Sequence, residues 1–144
     1  MTDEQRTQVV VGIDGSPGSV TALRWALRHA PALGSDMHAI TAWEVPATFG
    51  YPPVYIDVDW EGSARETLDK AIAEAGEVPP GVTITADVVH GHPSNVLVAA
   101  SKEADLLVVG SRGHSTVAGM LLGSVSQHCV HHAECPVVVV RGTR

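Results

Sequence analysis

VVVGIDGSPGS, residues 9–19, is the stretch that decides the fold of this chain. It opens with a short, β-branched apolar run over residues 9–13, which predicts a strand buried on both faces of a sheet. The next residues, from Asp14 to Pro17, predict the start of a helix, because proline suits the first helical turn, where no backbone N–H is needed. The stretch therefore predicts a strand that leads directly into a helix.

The remainder of the chain continues this alternation of strands and helices. Apolar residues at helical spacing predict amphipathic helices over residues 19–33, 64–75, 92–103 and 124–133. Short apolar runs predict further strands over residues 38–45, 82–89, 106–109 and 137–140. Residues 46–60 are rich in proline and aromatic side chains and are predicted to form a surface loop, with a lid or contact surface over residues 51–60 as the alternative.

Apolar strands that alternate with helices indicate a parallel sheet, because a crossover helix is the usual connection between parallel neighbours. The chain is therefore predicted to be an α/β protein, a single domain over residues 1–144, with a doubly wound sheet and helices on both faces. Ligands of such sheets bind beyond the carboxyl ends of the strands, where the strand order reverses. The residues that follow each strand are thus the place to search, although Gly91, His92 and Pro93 favour a plain turn.

Composition limits the partners and the compartment of the protein. The formal net charge of −7 argues against binding to nucleic acid or to an anionic membrane. The 2 cysteines, Cys129 and Cys135, fit no zinc or disulfide framework, which favours a reducing cytoplasm. The stretch MTDEQRTQ lacks the apolar segment of a signal peptide, and no apolar run approaches the roughly 20 residues that span a bilayer. We therefore expect a cytoplasmic protein that binds proteins or small molecules.

A second glycine-rich stretch, VVGSRGHSTVAGMLLGSVS at residues 108–126, overlaps the end of the fourth predicted strand. Gly110 and Gly113 are expected to adopt positive φ values and to let the backbone approach a ligand without a Cβ atom in the way. Arg112 lies between them and offers a positive charge. The stretch is neither a Walker loop, which ends in G-K-[ST], nor a Rossmann fingerprint, whose glycine spacing differs. An ordinary flexible connection is the alternative.

The same stretch ends at Gly123 and Ser124, where a helix is predicted to begin. The first amide groups of a helix have no partner within it and carry partial positive charge. The amides of Ser124, Val125 and Ser126 are therefore candidates to hold phosphate oxygens, while the Ser124 hydroxyl either caps the helix or contacts the ligand. The sequence thus predicts a phosphate-binding cradle.

Gly110-x2-Gly113-x9-Gly123-Ser124 resembles the G-x2-G-x9-G-[ST] signature of the ATP-binding universal stress proteins. VVVGIDGSPGS, AITAWEVP, ADLLVVGSRG and HAECPVVVVR resemble other parts of that family, so the similarity extends along the whole chain. The resemblance implies an adenine nucleotide alpha hydrolase-like fold, a five-stranded sheet in the order 3-2-1-4-5 with ATP between the first and fourth strands. It also implies a homodimer formed through the last strand, an apolar edge strand that needs cover.

The family's site residues carry over to positions of this chain that match its motifs. The acid after the first strand falls on Asp14, and the adenine contact falls on Ala42. A carboxylate suits the hydrogen-bond donors of adenine or ribose rather than a triphosphate, although Asp14 also fits an Asx turn. With Arg112 added for its charge, the candidate nucleotide-binding residues are Gly12, Asp14, Ala42, Gly110, Arg112, Gly113, Gly123, Ser124, Val125 and Ser126.

The resemblance implies ATP as the ligand, together with Mg²⁺ or Mn²⁺. No cluster of carboxylates accompanies the glycine motif, so a divalent ion would depend on the phosphates. A metal site is also suggested, at first sight, by His128, Cys129, His131, His132 and Cys135. No HExxH or paired CxxC pattern supports it, so we predict no protein metal site and interpret these side chains as helix-end histidines and packed cysteines.

No activated nucleophile or general base is evident near the glycine stretch, so we predict no catalytic residue. The leading hypothesis is an ATP-sensing regulatory protein of the stress response, with at most slow ATP hydrolysis and with protein partners. The alternatives are AMP or cyclic AMP as the ligand, and a dimeric interaction module that binds no nucleotide. An ATP pyrophosphatase and a phosphoacceptor response regulator are disfavoured, because SGG-x-D-S is absent and His90 stands where the regulator needs an acid.

Overall fold

The structure, a computed structural model, describes residues 6–46, 58–113 and 122–142. Strands and helices alternate within these ranges, as the sequence predicts. The elements are β1 (Thr7–Gly12), α1 (Pro17–Leu33), β2 (Ser35–Trp43), α2 (Trp60–Ala75), β3 (Ile84–His90), α3 (Pro93–Ser101), β4 (Leu106–Gly110), α4 (Ser124–His132) and β5 (Val137–Val140).

The strands form one sheet in the order β3-β2-β1-β4-β5, and every neighbouring pair is parallel. The chain builds β1, β2 and β3 outward in one direction and then crosses to the other side of β1 to form β4 and β5. The order therefore reverses between β1 and β4, which is where ligands bind in sheets of this kind. The predicted fold class and strand order are confirmed.

The central strands are buried on both faces, which explains their uninterrupted apolar sequence. In β1, Val9 and Val11 pack with α1 and α2, while Val10 packs on the opposite face. Leu97 of α3 and Cys129 of α4 belong to that opposite core. Helices thus cover both faces of the sheet and leave the carboxyl ends of the strands to form a site.

The structure corrects several predicted boundaries. Helix α1 begins at Pro17 rather than at residue 19, because the buried Ser16 accepts a hydrogen bond from the Ser19 amide at 3.3 Å and caps it. Strand β2 covers Ser35–Trp43 rather than residues 38–45, since its first residues pair with the start of β1 in parallel register. Polar residues at a strand end leave no apolar signal in the sequence.

The predicted loop over residues 46–60 is too long at its end. Helix α2 begins at Trp60, where Asp59 accepts a hydrogen bond from the Gly62 amide at 2.9 Å and caps the helix. The middle of that predicted loop, residues 47–57, lies outside the described residues. In the portion of the chain that is described, no helix is long and apolar enough to cross a membrane.

Candidate functional site

A cavity of about 360 Å³ lies at the carboxyl ends of β1, β2 and β4. Its volume is within the usual range for pockets that bind small molecules. Every candidate residue predicted from the sequence lines this cavity: Gly12, Asp14, Ala42, Gly110, Arg112, Gly113, Gly123, Ser124, Val125 and Ser126. The fold therefore brings together residues from widely separated parts of the chain, and their contact with a ligand stays a prediction.

Helix α4 presents an open first turn to this cavity. Its N-cap is Gly123, with φ −74° and ψ 168°, and among the described residues no side chain accepts a capping hydrogen bond from the first amides. Of the two alternatives for the Ser124 hydroxyl, the structure disfavours capping, because Ser124 is the first helical residue rather than the N-cap. The Gly123 amide donates to the Ser111 carbonyl at 2.7 Å, which fixes the start of α4 beside the end of β4. The first turn of α4 thus lines the cavity, and its N-cap residue provides no side-chain cap.

Ser126 has a structural task within the site. Its hydroxyl lies within 3.0 Å of the carbonyl oxygens of Ser111 and Gly123, to which it can donate its single proton. The residue is buried, at 3% exposure. Ser126 therefore ties α4 to the end of β4, and its backbone N–H is the group that the predicted phosphate contact would use.

The motif glycines do not have the conformations that the sequence predicts. Left-handed φ values occur at other glycines, such as Gly15 and Gly91, and not at Gly110 or Gly113. A Cβ atom at Gly110 would lie 2.8 Å from the carbonyl oxygen of Gly18, which is in the first turn of α1. Gly110 thus permits close packing of β4 against α1, a role that motif spacing alone does not reveal. Residues 114–121 of the motif lie outside the described residues.

Asp14 forms the Asx turn that its sequence allows, and it also lines the cavity. Its Oδ1 atom accepts hydrogen bonds from the Ser16 amide, at 2.9 Å, and from the Ser16 hydroxyl. A Cβ atom at Gly113 would lie 2.6 Å from Oδ2 of the same carboxylate. The side chain is therefore fixed between the end of β1 and the residues that follow β4.

The opposite side of the cavity is formed by β2 and α3. Ala42 lies near the end of β2 and Glu44 directly follows that strand, His92 and Pro93 form the start of α3, and Leu97 supplies apolar surface. Sequence reasoning placed Glu44 and His92 at the correct edge of the sheet but not among the candidate ligands. The sequence feature that could have identified them is their position directly after strands. In a single sequence, a ligand-binding residue at such a position looks the same as a residue of an ordinary turn.

A second cavity, of about 500 Å³, lies between α1 and α2 and shares only Asp14 with the first. Its lining includes Arg24, Lys70 and Glu74, and the Arg24 guanidinium donates to the Glu74 carbonyl at 2.9 Å. The helix that starts beside it, α1, is already capped by Ser16. The smaller cavity at the strand ends, with its open helix start, is thus the better candidate for a ligand site.

The structure does not support a protein metal site in the residues it describes. Across residues 6–46, 58–113 and 122–142, no three His, Cys, Asp or Glu side chains come close enough to hold a metal ion. The rings of His128 and His132 lie 4.4 Å apart, centroid to centroid, on α4. Burial raises the pKa of the Cys129 thiol to about 11, so it does not provide a thiolate near neutral pH.

Known proteins resemble this chain over nearly its whole length. Residues 5–141 match the description "Universal stress protein family". Universal stress protein Rv2623 of Mycobacterium tuberculosis is 38% identical over 144 residues, which cover 98% of this chain and 47% of that protein. Universal stress protein Mb2028c of Mycobacterium bovis is 37% identical over 139 residues, or 96% of this chain and 47% of that protein. The chain therefore spans about half the length of the curated relatives it matches.

Solved structures that resemble this chain are also universal stress proteins. A universal stress protein in complex with cAMP is 32% identical, with a TM-score of 0.71, and the match covers 95% of this chain and 98% of that one. UspA from Lactobacillus plantarum is 22% identical, with a TM-score of 0.69 over 96% of this chain and 100% of that one, and shares the fold. This chain belongs to the universal stress protein family.

Proposed function

We propose that this protein is an ATP-binding regulatory protein that holds the nucleotide in the cavity at the ends of β1, β2 and β4. The observation that carries the proposal is the open first turn of α4. Its N-cap, Gly123, has no side chain to accept from the first amides, and the first residues of α4 line the cavity together with Arg112. Uncapped amides with partial positive charge are suited to phosphate oxygens.

The charges around the cavity favour one orientation of the nucleotide. Arg112 and the start of α4 attract the phosphates at the side of β4. The carboxylate of Glu44 lies after β2 and disfavours phosphates on that side of the cavity. The base therefore binds toward Ala42 at the end of β2, and Asp14 accepts hydrogen bonds from donors of the base or ribose.

A divalent ion, Mg²⁺ or Mn²⁺, accompanies ATP in this proposal. Among the described residues no trio of His, Cys, Asp or Glu side chains is grouped for metal binding. Asp14, an acid lining the cavity, already accepts two hydrogen bonds from Ser16 at Oδ1. The ion would thus be held mainly by phosphate oxygens, which is common for Mg²⁺.

Cyclic AMP and AMP are the competing ligands. A 32%-identical universal stress protein was solved in complex with cAMP, so an adenine nucleotide with one phosphate is a realistic occupant here. An extended triphosphate needs more positive charge than a cyclic monophosphate, and Arg112 and the α4 amides supply it. We therefore favour ATP, held by a protein that senses it in the cytoplasm during stress, passes its state to protein partners and hydrolyses it slowly at most.

We also propose that the protein forms a homodimer through β5. This strand lies at the edge of the sheet, and all of its residues are valines, from Val137 to Val140. An apolar edge strand invites pairing with another chain. Gel filtration should give a dimer at micromolar concentration, and a monomer would contradict this part of the proposal.

Two variants at the start of α4 test the nucleotide site. Ser124 is exposed at the first helical position. We expect Ser124→Glu to leave the helix as stable as before, because an acid suits a helix N-terminus, while it lowers ATP affinity at least about tenfold by repelling the phosphates. Ser124→Gln, of similar size but neutral, should bind ATP within about threefold of the native protein, a difference well under one factor of ten.

Mass spectrometry of ligand released from the purified protein identifies the natural occupant, and calorimetry with ATP, AMP and cyclic AMP ranks the affinities. Release of ATP and a selective loss in Ser124→Glu would support the proposal. If nothing is released and millimolar ATP–Mg²⁺ gives no heat, the protein is not an ATP-binding protein. If both variants bind ATP as the native protein does, the phosphates do not bind at α4.

A further inference from the structure

The two sides of the nucleotide cavity differ in the donors that they offer. The β4 side has a cation, Arg112, and the open first turn of α4. The β2 side has Glu44 and His92, together with the apolar surface of Leu97. A carboxylate disfavours phosphate on this second side, whereas an aromatic base with donor and acceptor atoms fits it. His92 is therefore positioned to meet the base rather than the phosphates.

The imidazole of His92 is held by the helix that it begins. His92 is the N-cap of α3, and its Nδ1 atom accepts a hydrogen bond from the Ser94 amide at 3.3 Å. Its carbonyl oxygen accepts from the Val96 amide at 3.0 Å. Pro93 at the first helical position adds a fixed φ angle. Ring and backbone are thus both constrained before any ligand binds.

This hydrogen bond also selects the tautomer of the ring. A neutral imidazole that accepts at Nδ1 carries its proton on Nε2, and Nε2–H is then a hydrogen-bond donor. The ring nitrogens of adenine that carry no hydrogen are acceptors. His92 and an adenine base are therefore complementary. The hydrogen bond at Nδ1 makes Nε2–H a donor, and the adenine ring nitrogens need a donor.

We propose that His92 reads the base of the bound nucleotide by donating a hydrogen bond from Nε2–H to a ring nitrogen of adenine. This inference rests on the proposed nucleotide-binding function and adds to it the residue that recognises the base. The contact is independent of the phosphates, so His92 contributes equally to the binding of ATP and of adenosine. Capping of α3 and recognition of the base are then performed by the two nitrogens of one ring.

His92→Asn separates these two tasks. Asparagine is among the best N-cap residues, so its side-chain oxygen replaces Nδ1 as the acceptor for the Ser94 amide. Its NH2 group lies near the place of the histidine Cδ2 atom, so the shorter side chain has no donor at the position of Nε2–H. We expect the variant to unfold at the same urea concentration as the native protein, and to bind both ATP and adenosine about 3- to 10-fold more weakly, the effect of losing one hydrogen bond.

His90→Asn is the matched control. His90 is the last residue of β3, its ring contacts that of Trp43 in a tilted arrangement with centroids 4.6 Å apart, and it is not among the residues that line the cavity. The control should bind both ligands as the native protein does. Calorimetry with 1-deaza-, 3-deaza- and 7-deaza-adenosine then identifies the accepting nitrogen: one analogue should bind the native protein more weakly than adenosine does, and His92→Asn should bind that analogue and adenosine equally.

The outcomes separate this inference from the function on which it rests. If the native protein binds ATP and His92→Asn binds it equally well, the inference is wrong and the nucleotide site stands. If the variant loses affinity for ATP but not for adenosine, His92 contacts phosphate, and the assignment to the base is overturned. If the native protein binds neither ATP nor adenosine, the proposed function is wrong, and the inference that His92 binds the base is wrong with it.

Discussion

Helices α1 and α4 begin at the same edge of the sheet, after the neighbouring strands β1 and β4, yet their first turns differ. In α1, the buried Ser16 side chain accepts from the Ser19 amide and donates to Asp14. In α4, the N-cap is Gly123, which has no side chain to accept from the amides that follow. One helix start is closed by its own residues, and the other is open toward a cavity.

This difference shows how similar residues give a capped helix start with a structural role in one place and a candidate ligand site in another. Both starts are rich in glycine and serine, so composition does not distinguish them. The decisive feature is which residue occupies the N-cap, because a serine side chain there accepts from one of the first amides, whereas glycine has no side chain to do so. The closed start also holds Asp14 in place through Ser16, so the two regions together form the wall of one cavity.

Gly110→Ala is the change with the largest expected effect on this pair of regions. The new Cβ atom would lie 2.8 Å from the Gly18 carbonyl oxygen, and both atoms are bound to backbone that cannot move freely. We expect the free energy of unfolding to fall by about 1–3 kcal/mol, as in other overpacked interiors. Urea denaturation followed by circular dichroism measures the loss.

Gly142→Ala is the control for that experiment. A Cβ atom at Gly142 has no atom of another residue within 4 Å, apart from its immediate neighbours in the chain, so we expect a change within about 0.5 kcal/mol. Equal stability of the two variants would mean that β4 and α1 do not pack as closely as the structure has them. The explanation of Gly110 as a packing residue would then be wrong.

Ser16→Ala opens the closed helix start. It removes the side chain that accepts from the Ser19 amide, so we expect the free energy of unfolding to fall by about 1 kcal/mol. Ser16→Thr keeps a hydroxyl acceptor at the N-cap and should recover most of the loss. Thermal and urea denaturation of both variants measure the effect. A Ser16→Ala protein as stable as the native one would show that this cap does not stabilise α1.

The sequence predicts the sheet well because its signals are local. The run of valines from Val9 to Val11 indicates a strand buried on two faces, and Pro17 indicates the start of a helix. Both predictions can be made without knowledge of distant contacts. The spacing of the glycine motif is also a local signal, and the residues that it identifies line one cavity. The role of Gly110 is different, since it depends on the Gly18 carbonyl of another element, and no pattern within a single sequence records that approach.

His92 illustrates the same limit within the candidate site. A histidine between glycine and proline reads as part of a turn, and only the fold brings it to the cavity that Ala42 and Glu44 also line. The cap of α4 stayed open at the level of sequence for a related reason, because Gly123-Ser124 allows either residue to be the N-cap. The actual register is fixed by hydrogen bonds from Gly123 and Ser126 to the Ser111 carbonyl, which follows β4.

Gly113→Ala tests the contact between Asp14 and the residues after β4. Its Cβ atom would lie 2.6 Å from Oδ2 of Asp14, the far end of a side chain that can rotate. We therefore expect less than about 1 kcal/mol of lost stability but a several-fold loss of ATP affinity, because the carboxylate is displaced. The two changes should not be additive: in an Asp14→Ala background, Gly113→Ala should cause little further loss of affinity by calorimetry. Full additivity would contradict the coupling.

Ser124→Ala has the smallest expected effect on stability and compares the two helix starts directly. The Ser124 hydroxyl caps nothing, because Gly123 occupies the N-cap position, so its removal should change the free energy of unfolding by less than about 0.5 kcal/mol. The corresponding change at Ser16 removes a real cap and about 1 kcal/mol. Urea denaturation of the two alanine variants under one set of conditions gives the difference. Equal losses at the two positions would mean that Ser124 caps α4 in solution, and the open helix start on which the phosphate site depends would not exist.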